Sequence, residues 1–281
     1  MRKLMLLTGI LSACALSQAL PLFNVSIEAG GVEQDPSGIV SYKALNSTDY
    51  LDLKNDANFS QKTQPYIGVR ITNNLPILPN LKLDYMPMKF SGYGTLNHTV
   101  KFGNAIYRGS ANANINFNLN AKMNRFDILA YYHLPFITAA TKDMLKVRLG
   151  LNVRVVNFSE TFTGTATSIT VNGQTFSGNG SYTYTESKSL TVPIPMGHVG
   201  VTFSPIKQVS LVGDLNYVSY GSNNYYNYNA GLRLSPKGIL HSMIVPFIQV
   251  GYRYEKLKIN QSGVHADVKV DGPYALIGVE F

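Results

Sequence analysis

The sequence predicts an all-β fold, an antiparallel up-and-down β-barrel of about ten strands that crosses a membrane. Apolar and polar residues alternate with a period of two in many segments, which is the pattern of β-strands. Charged residues make up only 14% of the chain, whereas about a quarter is usual in a soluble domain. No apolar run reaches the roughly 18 residues of a membrane helix. Because only helices and closed barrels satisfy every backbone group inside a bilayer, the chain is predicted to cross as a barrel.

The segment before the first strand has the features of a secretory signal peptide. The basic residues Arg2 and Lys3 precede an apolar stretch that ends in small residues. We therefore expect residues 1–19 to be removed and residues 20–281 to form the barrel. Cleavage would also remove Cys14, the only cysteine of the chain, so no disulfide is expected. The alternative is that Cys14 ends a lipobox and carries a lipid.

Ten segments of the chain fit the strand pattern. In the clearest of them, Lys146, Arg148 and Arg154 alternate with leucine and valine residues. An even number places both chain ends on the periplasmic side, and eight or twelve strands remain alternatives. The apolar parity changes at 271–273, where a bulge would keep a single outward face, and a similar break falls near Asn124. The predicted strands are 22–33, 63–72, 80–92, 113–133, 144–163, 182–204, 207–220, 225–236, 243–260 and 264–281.

The connections between these strands are of two kinds. Short turns that contain proline alternate with long loops rich in Gly, Ser, Thr and Asn, at 34–62, 93–112 and 164–181. Short periplasmic turns and longer extracellular loops are typical of an outer-membrane barrel. Several predicted strands exceed the roughly 9–11 residues that cross a bilayer, so we expect their hairpins to project beyond the membrane.

The chain ends on an alternating segment, DGPYALIGVEF, whose last residue is aromatic. This segment resembles the C-terminal signature of bacterial outer-membrane β-barrel proteins, and the final hairpin, with LPILPNLKLDY, resembles an uncharacterised family of such barrels. The resemblance implies recognition by the barrel-assembly machinery and periplasmic chaperones, and a last strand that pairs with the first. It also implies contact with outer-membrane lipids and lipopolysaccharide, and we expect a monomer. The residues of the assembly signal are Tyr274, Ile277, Val279 and Phe281, of which Tyr274 has the inward parity.

If the apolar residues of each strand face lipid, the alternating polar residues face the lumen. Eight-stranded barrels are filled by side chains, and charges of both signs in a narrow lumen are expected to pair because unpaired buried charges are costly. We therefore expect a structural role and a largely plugged lumen; the alternative is a narrow, weakly anion-selective pore for small solutes. The predicted lumen charge network comprises Glu28, Arg70, Lys82, Asp84, Asp127, Lys146, Arg148, Arg154, Asp214, Arg233, Arg253 and Glu255.

Two further functions are weaker alternatives. His265 and Asp267 share a strand face near Ser262 at the outer rim, which is compatible with a rim enzyme, and the long outer loops are compatible with an adhesin. No HExxH, CxxC, GxSxG or phosphate-loop pattern occurs, so we expect no enzymatic activity, metal or cofactor. The net charge of +8 is spread along the chain rather than gathered in basic blocks, so no nucleic-acid partner is expected.

Overall fold

The computed structural model describes most of the chain. The described residues are 23–42, 50–73, 75, 77–110, 113–236, 244–261 and 264–281. The predicted signal peptide and Ser262 of the predicted rim site lie outside them. The strands are β1 (Phe23–Tyr42), β2 (Tyr50–Asp52), β3 (Lys62–Asn73), β4 (Asn80–Leu96), β5 (Val100–Phe102), β6 (Ala105–Arg108), β7 (Ile115–His133), β8 (Leu145–Val171), β9 (Gln174–Ile206), β10 (Val209–Tyr220), β11 (Asn223–Leu234), β12 (Val245–Gln261) and β13 (Val264–Glu280), and the short helix α1 spans Pro135–Ala140.

Within the described residues, ten strands close into an antiparallel ring. Their order is β1, β3, β4, β7, β8, β9, β10, β11, β12 and β13, and β13 pairs back onto β1. Each strand of the ring overlaps one of the ten predicted segments, and several strands extend beyond it, so the predicted antiparallel barrel is confirmed. The shorter strands extend the wall at one end, where β2 pairs with β1 and β6 pairs with β8. We call this the outer end, and the end with the short turns the inner end.

The three predicted long loops contain strands. β1 continues to Tyr42, and the segment 93–112 contributes the end of β4 and the β5–β6 hairpin. β8 and β9 run through 164–181 as one long hairpin that turns at Asn172 and Gly173. These two residues have positive φ angles of 49° and 85°, as the Asn-Gly pair of a type I′ turn requires.

A band of exposed apolar side chains surrounds the inner half of the barrel. It includes Leu151, which is 68% exposed, and Ile248, which is 55% exposed, although both belong to strands paired on two sides. Exposed tyrosines join it, for example Tyr132 and Tyr217, and such amphipathic rings favour the surface of a bilayer. A closed barrel with an outward apolar band has the surface that lipid requires. No helix in the described part of the chain is long and apolar enough to cross a membrane.

Buried apolar side chains fill the outer half of the interior, and we call them the apolar plug. They come from the barrel wall, from β2 and the residues after it, and from the β5–β6 hairpin. Each is at most 9% exposed. The apolar plug comprises Leu51, Leu53, Ala57, Phe59, Met86, Met88, Phe90, Leu96, Val100, Phe102, Ala105, Tyr107, Ile115, Phe117, Leu119, Phe162, Ala166, Ile169 and Val270.

Both predicted breaks in the strand pattern are wrong. β13 keeps a single register with β12, and β7 keeps its register with β4 and β8 past Asn124. Even-numbered residues of β13 therefore face the interior throughout, so Val270 is buried, whereas the odd-numbered Ile277 is 67% exposed. The apolar residues of β13 face inward in the outer half of the barrel and outward in the inner half, because the surroundings of the strand change between the two halves. Lipid covers the outside of the inner half, and the apolar plug fills the inside of the outer half.

Candidate functional site

The β5–β6 hairpin extends the sheet beside β8 at the outer end and packs on the barrel wall. Phe102 and Tyr107 contact Phe162 of β8 with ring centroids 5.4 and 4.9 Å apart. Phe117 of β7 stacks on the same ring at 5.3 Å. On the other side, β5 and Leu51 of β2 line one narrow gap. The hairpin therefore joins two parts of the wall through apolar contacts.

Residues 53–59 close the wall between β2 and β4. The carbonyl oxygen of Ala57 lies so close to Gly92 that an added Cβ atom would come within 1.8 Å of it. Next to this contact, the side-chain amide of Asn58 donates to the carbonyl oxygen of Tyr93 at 2.9 Å. The segment can approach β4 this closely because residue 92 has no side chain.

A cluster of buried ions crosses the middle of the barrel, and we call it the central ion cluster. Arg154 of β8 is 0% exposed and donates to both carboxylate oxygens of Asp127 on β7, at 2.7 and 3.1 Å. Arg125 of β7 pairs with Glu255 of β12, and its Nε lies 3.1 Å from Asp127. Arg253 Nε lies 3.8 Å from Glu255. Three guanidinium groups therefore face two carboxylates.

A second group of ion pairs joins β1, β4 and β11. Glu28 of β1 accepts a hydrogen bond from the hydroxyl of Tyr66 at 2.9 Å and lies 3.4 Å from Lys82 Nζ. Lys82 is also 3.1 Å from Asp84 on its own strand. The other carboxylate oxygen of Glu28 is 3.3 Å from Arg233 on β11. Glu28 thus has a cation on each of two sides.

A third group lies between β8, β9 and β10. Arg148 of β8 donates to Asp214 of β10 at 2.9 Å and to the hydroxyl of Thr202 at 2.6 Å. His198 of β9 hydrogen-bonds Asn216 through Nδ1 at 2.9 Å, and its Nε2 is 3.5 Å from Asp214. Charge on three neighbouring strands is therefore matched locally.

Between these groups and the inner end lies a cavity of about 510 Å³. Its lining extends from Asp127 in the central ion cluster to Asp143 and Lys207 in the short turns. Arg70 and Lys146 also line it, and neither forms an ion pair within the residues described. The cavity falls within the roughly 300–1,000 Å³ of ordinary small-molecule sites.

The structure places eleven of the twelve residues of the predicted charge network in the interior, and Lys146 lies exposed at the inner mouth of the cavity. Ten members form ion pairs there, and only Arg70 and Lys146 do not among the described residues. Arg125 is not among the predicted lumen residues, because the break predicted near Asn124 left the direction of its side chain undefined. The uninterrupted parity that Arg125 shares with Asp127 is the signal that identifies it.

The predicted rim residues have other partners in the structure. Asp267 pairs with Lys256 at 3.1 Å. His265 packs edge-on against Tyr50, with ring centroids 6.3 Å apart. In the part of the chain that the structure describes, no group of three or more His, Cys, Asp or Glu residues is arranged to hold a metal ion.

The residues of the predicted assembly signal lie on both faces of β13. Tyr274 faces the interior, where its hydroxyl accepts a hydrogen bond from Gln249 at 2.9 Å. Ile277 faces outward with 67% of its surface exposed. The backbone N–H of Phe281 donates to the carbonyl oxygen of Val25 at 2.8 Å. The pairing between the first and last strands therefore extends to the last residue.

The β8–β9 hairpin reaches beyond its neighbours at the outer end. β10 pairs with β9 only from Gly197 to Ile206, so the outer part of β9 has β8 as its neighbour. Glu186 in this part accepts a hydrogen bond from the backbone N–H of Asn104 at 3.4 Å and lies 3.1 Å from Lys188 Nζ. Partial burial raises the pKa of Glu186, but the hydrogen bonds from Lys188 and Asn104 outweigh it and hold the pKa below its usual value. Glu186 thereby joins the long hairpin to the β5–β6 turn.

Solved structures of bacterial outer-membrane barrels match this fold at low sequence identity. The outer membrane protease OmpT of Escherichia coli matches with 12% identity and a TM-score of 0.43, over 92% of this chain and 96% of that one. The translocator domain of the autotransporter NalP of Neisseria meningitidis matches with 11% identity and a TM-score of 0.38, over 98% and 94%. The outer membrane protein OprG of Pseudomonas aeruginosa matches with 12% identity and a TM-score of 0.34, over 92% and 96%. No protein-family model and no curated protein matches the sequence.

The fold and its surface define the class of this protein. The barrel is closed, antiparallel and even in strand number, and an apolar band surrounds it. Phe23 and Phe281, the first and last described residues, lie at the inner end with the short turns. These are the features of bacterial outer-membrane barrels. The chain is therefore a multi-pass β-barrel protein of the bacterial outer membrane.

Proposed function

We propose that this protein is a structural barrel of the outer membrane whose lumen is closed to ions. The observation that carries the proposal is the apolar plug. Phe162 at its centre is 1% exposed, and Phe102, Tyr107 and Phe117 surround it with at most 3% of their surfaces exposed. An ion on this path would lose its hydration without gaining polar ligands, so apolar constrictions of this kind exclude ions.

The central ion cluster supports a second seal. β7 and β12 stand five positions apart in the ring of ten, so the ion pair between Arg125 and Glu255 joins opposite sides of the lumen. Arg154 lies 3.6 Å from the same carboxylate, from the next strand. Breaking a buried ion pair costs about 3–5 kcal/mol, and a permeating ion would have to separate these groups.

The proposal also assigns the surroundings of the barrel. Outer-membrane lipids and lipopolysaccharide cover the apolar band, and the barrel-assembly machinery reads the last strand, with Ile277 and Phe281 as its outward and terminal residues. We assign no catalytic activity. In support, the rim carboxylate of Asp267 is held by Lys256 rather than by His265.

Single-channel recording in planar bilayers tests the closed lumen. The wild-type protein, refolded and verified by gel shift, should be silent. The two seals are removed together by replacing residues 100–108 with a Gly-Ser linker and combining this with Arg125→Ala and Glu255→Ala. This combined variant should conduct ions. The linker replacement alone should not conduct, and neither should the pair of alanine substitutions alone.

A matched control replaces residues 176–184 of the exposed β9 segment with the same linker, again combined with Arg125→Ala and Glu255→Ala. It should stay silent because the apolar plug is intact. Steady openings of the wild-type protein would refute the proposal.

A narrow, weakly anion-selective pore is the second candidate function. The observation that favours it is the cavity of about 510 Å³ with the cations Arg70 and Lys146 in its lining. A pore would give reproducible wild-type openings whose preference for anions falls in Arg148→Glu or Arg154→Glu.

A further inference from the structure

We propose that the cavity in the inner half of the barrel binds a small oxyanion, a solute with phosphate or carboxylate groups that enters from the periplasmic side. This goes beyond the structural role proposed above, because the cavity lies on the inner side of both seals. A barrel that is closed to ions can therefore still hold a ligand.

The charge of the interior is the first argument. The part of the lumen inside the apolar band holds seven buried or half-buried cations and five acids: Arg70, Lys82, Arg125, Arg148, Arg154, Arg233 and Arg253, with Glu28, Asp84, Asp127, Asp214 and Glu255. At the inner mouth, the exposed Lys146 and Lys207 face Asp143 and Glu280, so the excess of two cations is unchanged there. Excess charge between apolar walls is costly unless a counter-charge accompanies it. A bound anion with two negative charges supplies that counter-charge.

The position of the unpaired cations is the second argument. Arg70 and Lys146 line the cavity and have no ion-pair partner among the described residues. Arg70, Lys146 and Arg148 all interact electrostatically with His133, which also lines the cavity, so the three cations act on one region. Arg70 also interacts with Glu28 and Asp214 at longer range than an ion pair. Two planar guanidinium groups beside an ammonium group are a donor set that suits phosphate and carboxylate oxygens.

Buried polar atoms at the cavity wall are the third argument. Asn227 Nδ2, His198 Nε2 and Asn152 Oδ1 have no hydrogen-bond partner in the structure. Their residues are 1%, 3% and 2% exposed, and all three line the cavity. Buried polar groups without a partner are rare in folded proteins, and each points to an unfilled binding requirement. The amide of Asn227 provides a donor for a ligand oxygen.

The size and position of the cavity limit the ligand. A volume of about 510 Å³ admits a small metabolite and excludes a folded partner. Asn73, Asp143 and Lys207 in its lining lie at the inner end, so the ligand reaches it from the side of the short turns.

Isothermal titration calorimetry on the refolded, gel-shift-verified barrel tests the proposal. The probes are sodium pyrophosphate and sodium citrate, titrated at matched ionic strength. At least one should bind saturably with a single site. Tighter binding of pyrophosphate assigns the site to phosphate groups, and tighter binding of citrate assigns it to carboxylates.

Two variants locate the site, and a third variant serves as a control. Arg70→Gln and Lys146→Gln should each weaken binding about tenfold or more, because each removes a charge-assisted hydrogen bond. Neither residue has an ion-pair partner among the described residues, so both variants are expected to fold. Lys256→Gln, which removes a cation from the outer surface, should bind as the wild type does.

The absence of saturable binding of both probes would overturn the proposal. So would unchanged binding in both Arg70→Gln and Lys146→Gln, or an equal loss in Lys256→Gln. Conductance is a separate readout. Wild-type openings together with site-specific binding would refute the closed barrel and leave the oxyanion site standing.

Discussion

Replacing Arg154 by methionine removes a buried guanidinium group while keeping a long side chain. Arg154 donates to Asp127 at 2.7 and 3.1 Å and to Asn227 at 2.7 Å, and it lies 3.6 Å from Glu255. Removing one partner of a buried pair costs about 3–5 kcal/mol, because the remaining charge stays buried without compensation. Arg125 still contacts both carboxylates, so we expect the low end of this range, about 3 kcal/mol.

Urea unfolding of the refolded barrel in lipid vesicles measures this cost. The signal is tyrosine fluorescence, because the chain has 18 Tyr and no Trp, with gel shift as a second probe. If the m-value is about 2 kcal/mol per molar urea, the midpoint should fall by about 1.5 M. Lys256→Met is the control. It removes a partly exposed ion pair with Asp267, which is worth about 1 kcal/mol at most.

Equal midpoints for Arg154→Met and Lys256→Met would refute the reasoning, because they would mean that water screens the central ion cluster as it screens a surface pair. The double variant Arg154→Met with Asp127→Asn gives a further check. It should be less destabilised than the sum of the single changes, since the carboxylate that Arg154 compensates is then neutral.

The remaining predictions concern the apolar plug, the topology and the outer hairpin. Phe162→Ala removes the ring on which three other aromatic rings pack. The same urea assay should show that the free energy of unfolding falls by about 3–5 kcal/mol. A smaller decrease would mean that the surrounding side chains of the apolar plug move into the space left by the ring. Ser181→Cys, in the exposed outer part of β9, should react with a membrane-impermeant maleimide on intact cells, and Lys207→Cys only after the outer membrane is permeabilised, whereas the reverse pattern would invert the topology. The folded-state pKa of Glu186 lies below its usual 4.5, so its contact with the β5–β6 turn is complete above about pH 4.5 and is lost as pH falls through the lowered pKa. Hydrogen exchange of the turn amides should accelerate only on that acid side, and acceleration at neutral pH would contradict the assignment.

The ten strands of the ring were predictable because alternation is a local property. A strand with one face toward lipid and one toward the lumen repeats its chemistry every second residue, as Lys146, Arg148 and Arg154 do in β8. The short turns between strands carry their own signals in proline and glycine. The hairpin at Asn172 and Gly173 was also predictable, since Asn-Gly is a strong local signal for a tight turn, but the segment around it was interpreted as a loop.

The apolar plug was not predictable in this way. The parity pattern assumes that apolar side chains face outward along the whole strand. In β13 this holds for Ile277 and fails for Val270, although the strand keeps one register with its neighbours. Whether the inward or the outward face of a strand is apolar depends on what fills the interior at that level of the barrel. In the outer half it is filled partly by β5 and β6, which come from a distant part of the chain, so the pattern of β13 alone does not reveal it.

The sequence by itself determined the fold class, a ring of about ten strands and most of the charges that face inward. Only the tertiary structure decided how those charges are matched, where apolar side chains fill the interior and where a cavity remains. Arg125 and Glu255 are 130 residues apart in the chain and meet only because the ring brings β7 and β12 to opposite sides of one narrow lumen. Alternation specifies the face of each residue, whereas the pairing of charges across the barrel depends on closure and register, which no local pattern contains.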